Sequence, residues 1–384
     1  MQKKNYFDSP LAFFIFLLMI SSCICINSAQ KFGQYHEDFF AKQILWFVLG
    51  TFIVLVIFLF DFDQLKRLSI PLYGFGILLL IGVLVAPESI APIRNGAKSW
   101  FVLPGIGSVQ PSEYMKIFMI MMLSKVVSEH LEKFEAGIMR NDVRLFFKIA
   151  LVAIVPIGLT LKQDFGTSVV MMVITLGILF VSGVNWKIIS GIALIGVMGL
   201  GTIVGLFIFD PQILLKIMGQ YQLDRIYSWL DPFGNGQGIG YQLSQSILGI
   251  GSGNMYGAGF GHTSVYLPEA QSDFIFTIVG EDFGFLGSSI IVSLYFLIVY
   301  RIGTIALLNK RGNFEYFNCI GMMSLITFHS FQNIGMVSGL IPITGIPLPL
   351  MSYGGSSVMA TLIGLGLVLN ASLKKRDYMF SREG

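Results

Sequence analysis

The sequence predicts an all-α polytopic integral membrane protein, a single transmembrane domain over residues 1–384, and three observations predict it. Of its 384 residues, 54% are hydrophobic and only 12% are charged, against about 25% charged in an ordinary soluble domain. Apolar runs long enough to cross a bilayer as helices, about 20 residues each, recur at 10–27, 41–61, 69–86, 112–129, 145–162, 166–183, 186–209, 274–300, 314–340 and 350–372. Basic residues crowd every second connection. Lys3, Lys4, Lys66, Arg67, Lys133, Arg140, Arg144, Lys148, Lys187, Arg301, Lys310, Arg311, Lys374, Lys375, Arg376 and Arg382 fall on one side, Lys31, Lys42, Arg94, Lys98, Lys162, Lys216 and Arg225 on the other, and Lys116 and Lys125 within a span. Lysine and arginine gather on the cytoplasmic side. About ten transmembrane helices are therefore expected, with both termini cytoplasmic and a large extracellular loop, 210–273, between spans seven and eight.

Composition also excludes several classes. A net charge of +3 is too small to argue for nucleic acid, and no nucleic-acid-binding motif accompanies it. Cys23, Cys25 and Cys319 form no C-x-x-C pair and have no histidine cluster, so neither a disulfide framework nor a zinc site is indicated. The first apolar run follows Lys3 and Lys4, and "ISSC" at 20–23 resembles a lipoprotein cleavage box. The reading taken is an uncleaved anchor.

Three polar segments, 87–111, 210–273 and 338–357, fall on the same face under this topology. The first carries Arg94, Lys98 and Trp100, residue types that anchor chains at headgroups. It leads into Pro111 and Glu113, a favourable first turn for a helix. Lys116 follows Glu113 by one helical turn. A lysine inside hydrocarbon is paired or functional. A salt bridge fixing the helix and a contact with an anionic ligand both fit.

In the second segment, 214–230 and 241–250 have helical spacing and read as short helices on, or dipping into, the outer leaflet. Tyr221, Tyr227 and Trp229 would lie at headgroup depth. The glycines at 249, 251, 253, 257, 259 and 261 follow no strand, so they are no nucleotide fingerprint. They permit close backbone approach to a ligand or sharp reversals. "LPEAQSDFIF" at 267–276 then places Glu269 and Asp273 at the edge of span eight. Asp273 backs onto apolar surface and faces water, a setting that raises a carboxyl pKa and suits a general base. Capping, substrate contact and ion coupling fit the same position. Glu281 and Asp282 are expected about 12 Å deeper along that helix, at 1.5 Å per residue. Thr277, Gly280, Gly284 and Ser288 share a small-residue face, for close helix packing or a lipid tail.

The third segment has Pro342, Pro347 and Pro349, then Ser352, Tyr353, Gly354, Gly355, Ser356 and Ser357. Backbone amides behind glycines at a helix start make an anion-binding concavity. A broken helix whose hydroxyls recap its own backbone is the other reading.

Taken in order, "NGAKSWF…QPSEYMK", "DFGT" at 164–167, "YQLSQSILGIGSG", "LPEAQSDFIF…GEDFGFLG" and "IPITGIPLPLMSYGGSS" resemble the SEDS family of bacterial cell-wall proteins, which includes RodA, FtsW and SpoVE. The resemblance covers nearly the whole chain. "PITGIPLPL" and "NIGM" at 333–336 are more similar to RodA than to FtsW.

The resemblance implies a peptidoglycan glycosyltransferase. It would polymerise lipid II at the outer face of the bacterial cytoplasmic membrane during cell elongation, beside a class B penicillin-binding protein. Asp273 then matches the proposed catalytic aspartate, Glu113 and Lys116 an intramembrane acid–lysine pair, and Asp164 the acid of a D-x-G-T motif. The acceptor's 4-hydroxyl would attack the anomeric carbon with inversion, expelling undecaprenyl pyrophosphate, so one base suffices. Lys98, Arg94 and Arg225 are candidate pyrophosphate cations, with Mg²⁺ or Mn²⁺ as the candidate ion and no organic cofactor. Glu269, Ser352, Tyr353 and Ser356 are supporting or substrate-binding candidates. This chain departs from the family pattern at Gln163, usually proline, Gln271, often histidine, Ser99, commonly basic, and Asn254, commonly glycine. Alternatives are a lipid II flippase or other transporter using Glu113, Lys116, Lys125, Glu281 and Asp282, a scaffold for the transpeptidase, or a role in division or sporulation.

Overall fold

The structure, a computed structural model, describes residues 7–31, 37–93, 97–103, 107–210, 212, 213, 215, 220–234, 238–262, 265–309 and 312–373. Its helices are α1 (Ser9–Gln30), α2 (Phe39–Ile57), α3 (Phe62–Val85), α4 (Pro111–Lys133), α5 (Met139–Thr160), α6 (Phe165–Val181), α7 (Trp186–Phe209), α8 (Gln220–Leu230), α9 (Ile239–Ser252), α10 (Ile275–Leu308), α11 (Phe314–Val337) and α12 (Gly355–Leu373). One small antiparallel hairpin, β1 (Phe101–Leu103) with β2 (Gly107–Val109), precedes α4 and pairs Phe101 with Val109. The chain is an all-α polytopic membrane protein.

Helix starts follow side-chain chemistry. Asp8, Asp38 and Asp164 each accept a hydrogen bond from the backbone amide three residues on, supplying orphan first-turn donors with an acceptor. Asp61 and Gln64 form a reciprocal capping box at α3.

Seven helices, α1, α2, α3, α5, α7, α10 and α12, are long and apolar enough to cross a membrane. Of the other predicted spans, α6 is apolar but only 17 residues long. The remaining two, α4 and α11, are surrounded by other helices. Neighbours of α4 are α3, α5, α6, α11 and α12, and α11 packs against α4, α6, α9, α10 and α12. Helices shielded from lipid in this way can carry polar groups that a lipid-facing helix cannot. Glu113 and Lys116 on α4, and His329, Gln332 and Asn333 on α11, are all buried.

The eighth predicted span departs from a straight helix. Within α10, Gly284 takes φ 63°, ψ −156°, and the order of contacts reverses there. The carbonyl of Asp273 lies beside Asn333, and Thr277 beside Ser246, which also bonds the carbonyl of Val337 at the end of α11. Asp282 reaches Ser28 at the C-terminal end of α1. After the break the chain returns along α1 until Arg301 meets Asp8 at the opposite end. Glu281 and Asp282 therefore stand nearer the C-terminal ends of α1 and α11 than Asp273 does. The sequence reading placed them deeper because it assumed one continuous helix.

A break in a helix frees backbone groups, and in an apolar setting each must find a partner. The glycine-rich stretch after α9 supplies them. Ala258 N donates to Glu281 O at 2.8 Å and Gly259 N to Asp282 O at 3.2 Å, while Phe285 N and Leu286 N donate to Asn254 O at 2.9 Å and Met255 O at 3.2 Å. A Cβ on Gly253 or Gly257 would overlap the carbonyls of Gly280 and Asp282. These glycines thus admit another stretch of backbone. Asn254 adopts φ 46°, a left-handed conformation asparagine tolerates better than most residues.

Candidate active site

The site is organised around an extended loop, 341–354, inside the bundle. An extended segment without a sheet partner exposes carbonyls that lipid cannot satisfy. Side chains satisfy them one by one. Arg225 Nη1 donates to Thr344 O at 3.0 Å, Asn333 Nδ2 to Ile346 O at 2.8 Å and Tyr295 Oη to Pro349 O at 2.5 Å. His329 Nδ1 lies 3.2 Å from Pro347 O. Pro347 and Pro349 bring no N–H of their own, which lowers the demand for acceptors.

Asp273 is stitched to the same loop. Its carbonyl shares Asn333 Nδ2 with Ile346, at 2.8 Å. Next to it, Ser272 O accepts from Ser352 Oγ at 2.7 Å, and Gln271 O accepts from Tyr353 N at 2.8 Å. A Cβ on Gly345 would stand 3.3 Å from Asp273 Oδ2 and 3.6 Å from Arg225 Nη2, so both groups border the same small space. Gly345 itself adopts φ 71°, which favours glycine. The Asp273 carboxyl is partly buried. Among the described residues no hydrogen-bond donor is placed on it. Burial foremost, then the charge of Glu269, push its pKa up from 3.8 to about 6, against the pull of Arg225 and with a smaller push from Asp164. A carboxylate with open oxygens and a raised pKa can accept a proton from a bound hydroxyl near neutral pH.

Residues from the segment before α4 complete one wall. Asp164 caps α6, with Thr167 Oγ1 donating to Oδ2 at 2.6 Å and Gln110 Nε2 at 2.8 Å. Gln110 N in turn donates to Ser356 Oγ at 3.0 Å. Gln110, Arg225, Gln271, Thr344, Tyr353 and Ser356 thus link the three polar segments through these contacts.

The sequence profile of the FtsW/RodA/SpoVE family, described as a cell cycle protein, matches residues 6–377. This chain belongs to that family. Stage V sporulation protein E of Bacillus subtilis (strain 168) is 34% identical over 97% of this chain and 99% of its own length. A probable peptidoglycan glycosyltransferase FtsW of Wigglesworthia glossinidia brevipalpis is 32% identical over 97% of this chain and 95% of its own. Among solved structures, a chain of a peptidoglycan synthase complex that coordinates polymerization and crosslinking superposes with TM-score 0.76 at 28% identity, covering 95% of this chain and 97% of that one. The rod shape determining protein RodA of Thermus thermophilus gives TM-score 0.66 at 27% identity, covering 95% and 96%.

In this SEDS protein the predicted site residues do not all converge. Arg225 stands beside Asp273. Lys98 does not: its Nζ serves Leu84 O and Ala86 O at the C-terminal end of α3, a favourable place for a cation. It lines a small pocket with Ser99, Gln163 and Asp164. Arg94 lies outside the described residues. Gln163 accepts from Lys98 N at 3.0 Å through its side chain and from Ser99 Oγ at 3.1 Å through its backbone carbonyl. Glu269 shapes the turn before Asp273: at φ 57° its carboxylate accepts from Ser272 Oγ at 3.1 Å. Ser352 both accepts, from Leu348 N at 2.8 Å, and donates to Ser272, while Tyr353 packs on Phe39 with ring centroids 4.7 Å apart. The Ser352 hydroxyl thus recaps the chain's own backbone. Glu113 and Lys116, both buried, pair at 2.8 Å, the contact that the salt-bridge reading of the sequence expects.

Sequence reasoning missed His329, Gln332 and Asn333. Their three- and four-residue spacing on an otherwise apolar span marks one polar helix face. No three His, Cys, Asp or Glu side chains lie together as metal ligands among the described residues.

Proposed function

We propose that this chain is a peptidoglycan glycosyltransferase that joins lipid II disaccharides into glycan strands, with Asp273 as its general base. The observation that carries this is Asp273 itself: a partly buried carboxyl with open oxygens, a pKa raised to about 6 and Arg225 alongside. The relatives named as probable peptidoglycan glycosyltransferases support it.

Asp273 takes the proton from the acceptor's 4-hydroxyl as its oxygen attacks the donor's anomeric carbon. The bond to the pyrophosphate oxygen breaks, undecaprenyl pyrophosphate departs with the electron pair, and the configuration inverts. A pyrophosphate needs no protonation to leave, which removes the need for a second carboxylate. Arg225 offers positive charge to the departing group. A divalent ion, Mg²⁺ or Mn²⁺, would arrive bound to the pyrophosphate. Glu269 supports the turn that presents Asp273.

The end of the bundle carrying the site faces outward from the bacterial cytoplasmic membrane in this proposal, with both termini cytoplasmic. A class B penicillin-binding protein is the proposed partner, supported by similarity to a chain of a peptidoglycan synthase complex. "PITGIPLPL" supports a role in elongation. The relatives named for sporulation and for FtsW make those the competing roles, and loss of rod shape, septation or spore cortex on depletion separates them. The direct test is purified protein with lipid II in detergent. Glycan polymer is the expected product, and lipid II translocation without polymer would identify a flippase instead.

A further inference from the structure

Three buried side chains that the proposed chemistry does not touch form a line from α4 to the loop beside Asp273. Lys116 Nζ lies 2.8 Å from Glu113 Oε1 and 3.1 Å from His329 Nε2, and His329 Nδ1 lies 3.2 Å from Pro347 O. Exposure is 3% at Glu113, 2% at Lys116 and 2% at His329. The partners fix the state of the ring. A carbonyl only accepts, so Nδ1 carries the hydrogen, and an ammonium only donates, so Nε2 offers its lone pair. The ring is neutral, and it is a two-ended link between an ion pair and a carbonyl.

Pro347 O is one residue from Ile346 O, which shares the Asn333 amide with the carbonyl of Asp273. Two residues one turn apart on α11, His329 and Asn333, thus hold two successive loop carbonyls, and one of those holds also grips Asp273. We infer that His329 is a positioning residue that sets the loop 341–352, and through it the Asp273 carboxylate, from the Glu113–Lys116 pair. This rests on the reading of the chain as a polymerase with Asp273 as base. Without the ring, a buried Lys116 N–H and Pro347 O both lose a partner. On the α11 side the loop then keeps Asn333 at Ile346 O and Gln332 at the Thr344 hydroxyl, and loses its hold at Pro347. Misplacing a reacting group by about 1 Å can lower a rate by about 100-fold.

The experiment compares wild type with His329→Leu and His329→Gln. Glutamine has a carbonyl to accept from Lys116 and an amide to donate to Pro347 O, whereas leucine fills the space with neither. Hydrogen exchange over 341–352 is measured on each purified protein, together with kcat and KM for lipid II. The expected result for His329→Leu is faster exchange in the loop and a kcat lowered about 10- to 100-fold, with KM within about twofold. In His329→Gln both protection and kcat recover to within about threefold of wild type. Unchanged exchange in His329→Leu, or a glutamine variant as impaired as the leucine one, overturns the inference. Should His329→Leu fail to accumulate, His329→Phe, a ring with neither donor nor acceptor, replaces it in both comparisons. Absence of polymer from the wild type would sink the polymerase reading alone, because loop exchange still decides whether His329 holds the loop.

Discussion

With its pKa at about 6 rather than 3.8, Asp273 changes charge inside the pH range over which a membrane enzyme stays folded, and two consequences follow with opposite signs. As a base it works only when deprotonated, so kcat/KM for lipid II is expected to fall about tenfold per pH unit below about 6 and to level off above it. A profile flat down to pH 5 contradicts that role. For stability, the folded pKa lies above the unfolded value, so the folded state disfavours the charged form. The penalty is fully present above pH 6 and is relieved as pH falls toward 3.8. Asp273→Asn removes it and is expected to raise stability at pH 7.5 by on the order of 1–3 kcal/mol, read as a higher melting temperature in detergent. Asp273 was legible in the sequence as a carboxylate at the edge of an apolar run. His329 was not: its spacing with Gln332 and Asn333 marks a polar helix face, but which loop that face serves shows only once the loop is placed beside it.

The elements that carry Asp273 depend on pairing between distant backbone segments. Gly284 read as one member of a small-residue face, and a single glycine in a helix is ordinarily tolerated. What turns it into a break is the stretch 254–259, some 25–30 residues away in sequence, which takes up the freed amides and carbonyls. No local propensity reports such a long-range match. The glycines make a testable contrast. Gly257 has φ 88° and would place a Cβ against the Asp282 carbonyl, whereas Gly251 has nothing within 4 Å. Gly257→Ala is expected to destabilise the protein by on the order of 3 kcal/mol or more, and Gly251→Ala to change little. Equal melting temperatures for the two variants would show that the backbone clamp contributes nothing.

At the scale of the molecule, hydropathy located every long helix, because a span must be apolar over about 20 residues whatever it packs against. It could not report that α4 and α11 are enclosed, which requires knowing their neighbours. Nor could it show that Lys98 serves α3 rather than the space beside Asp273. Charge bias carries the orientation, and labelling tests it in a background lacking Cys23, Cys25 and Cys319. Cysteine replacing Phe233, which is 62% exposed near the site's end, should react with a membrane-impermeant thiol reagent on intact cells. Cysteine replacing Asp63, at the start of α3, should not. The reverse pattern would put the site inside the cell, away from any extracellular polymerisation.

All of these levels converge on one carboxylate, and glycan polymer formed from lipid II by purified wild type, Asp273→Asn and Glu269→Gln tests it most directly. Asparagine keeps the shape but cannot take the acceptor's proton, so Asp273→Asn is expected to lose on the order of 10²–10⁴-fold in rate while melting no lower than wild type. Glu269→Gln, which alters only the supporting turn, is expected to lose less. Near-normal polymer from Asp273→Asn, or a larger loss from Glu269→Gln, would contradict the assignment of Asp273 as the base.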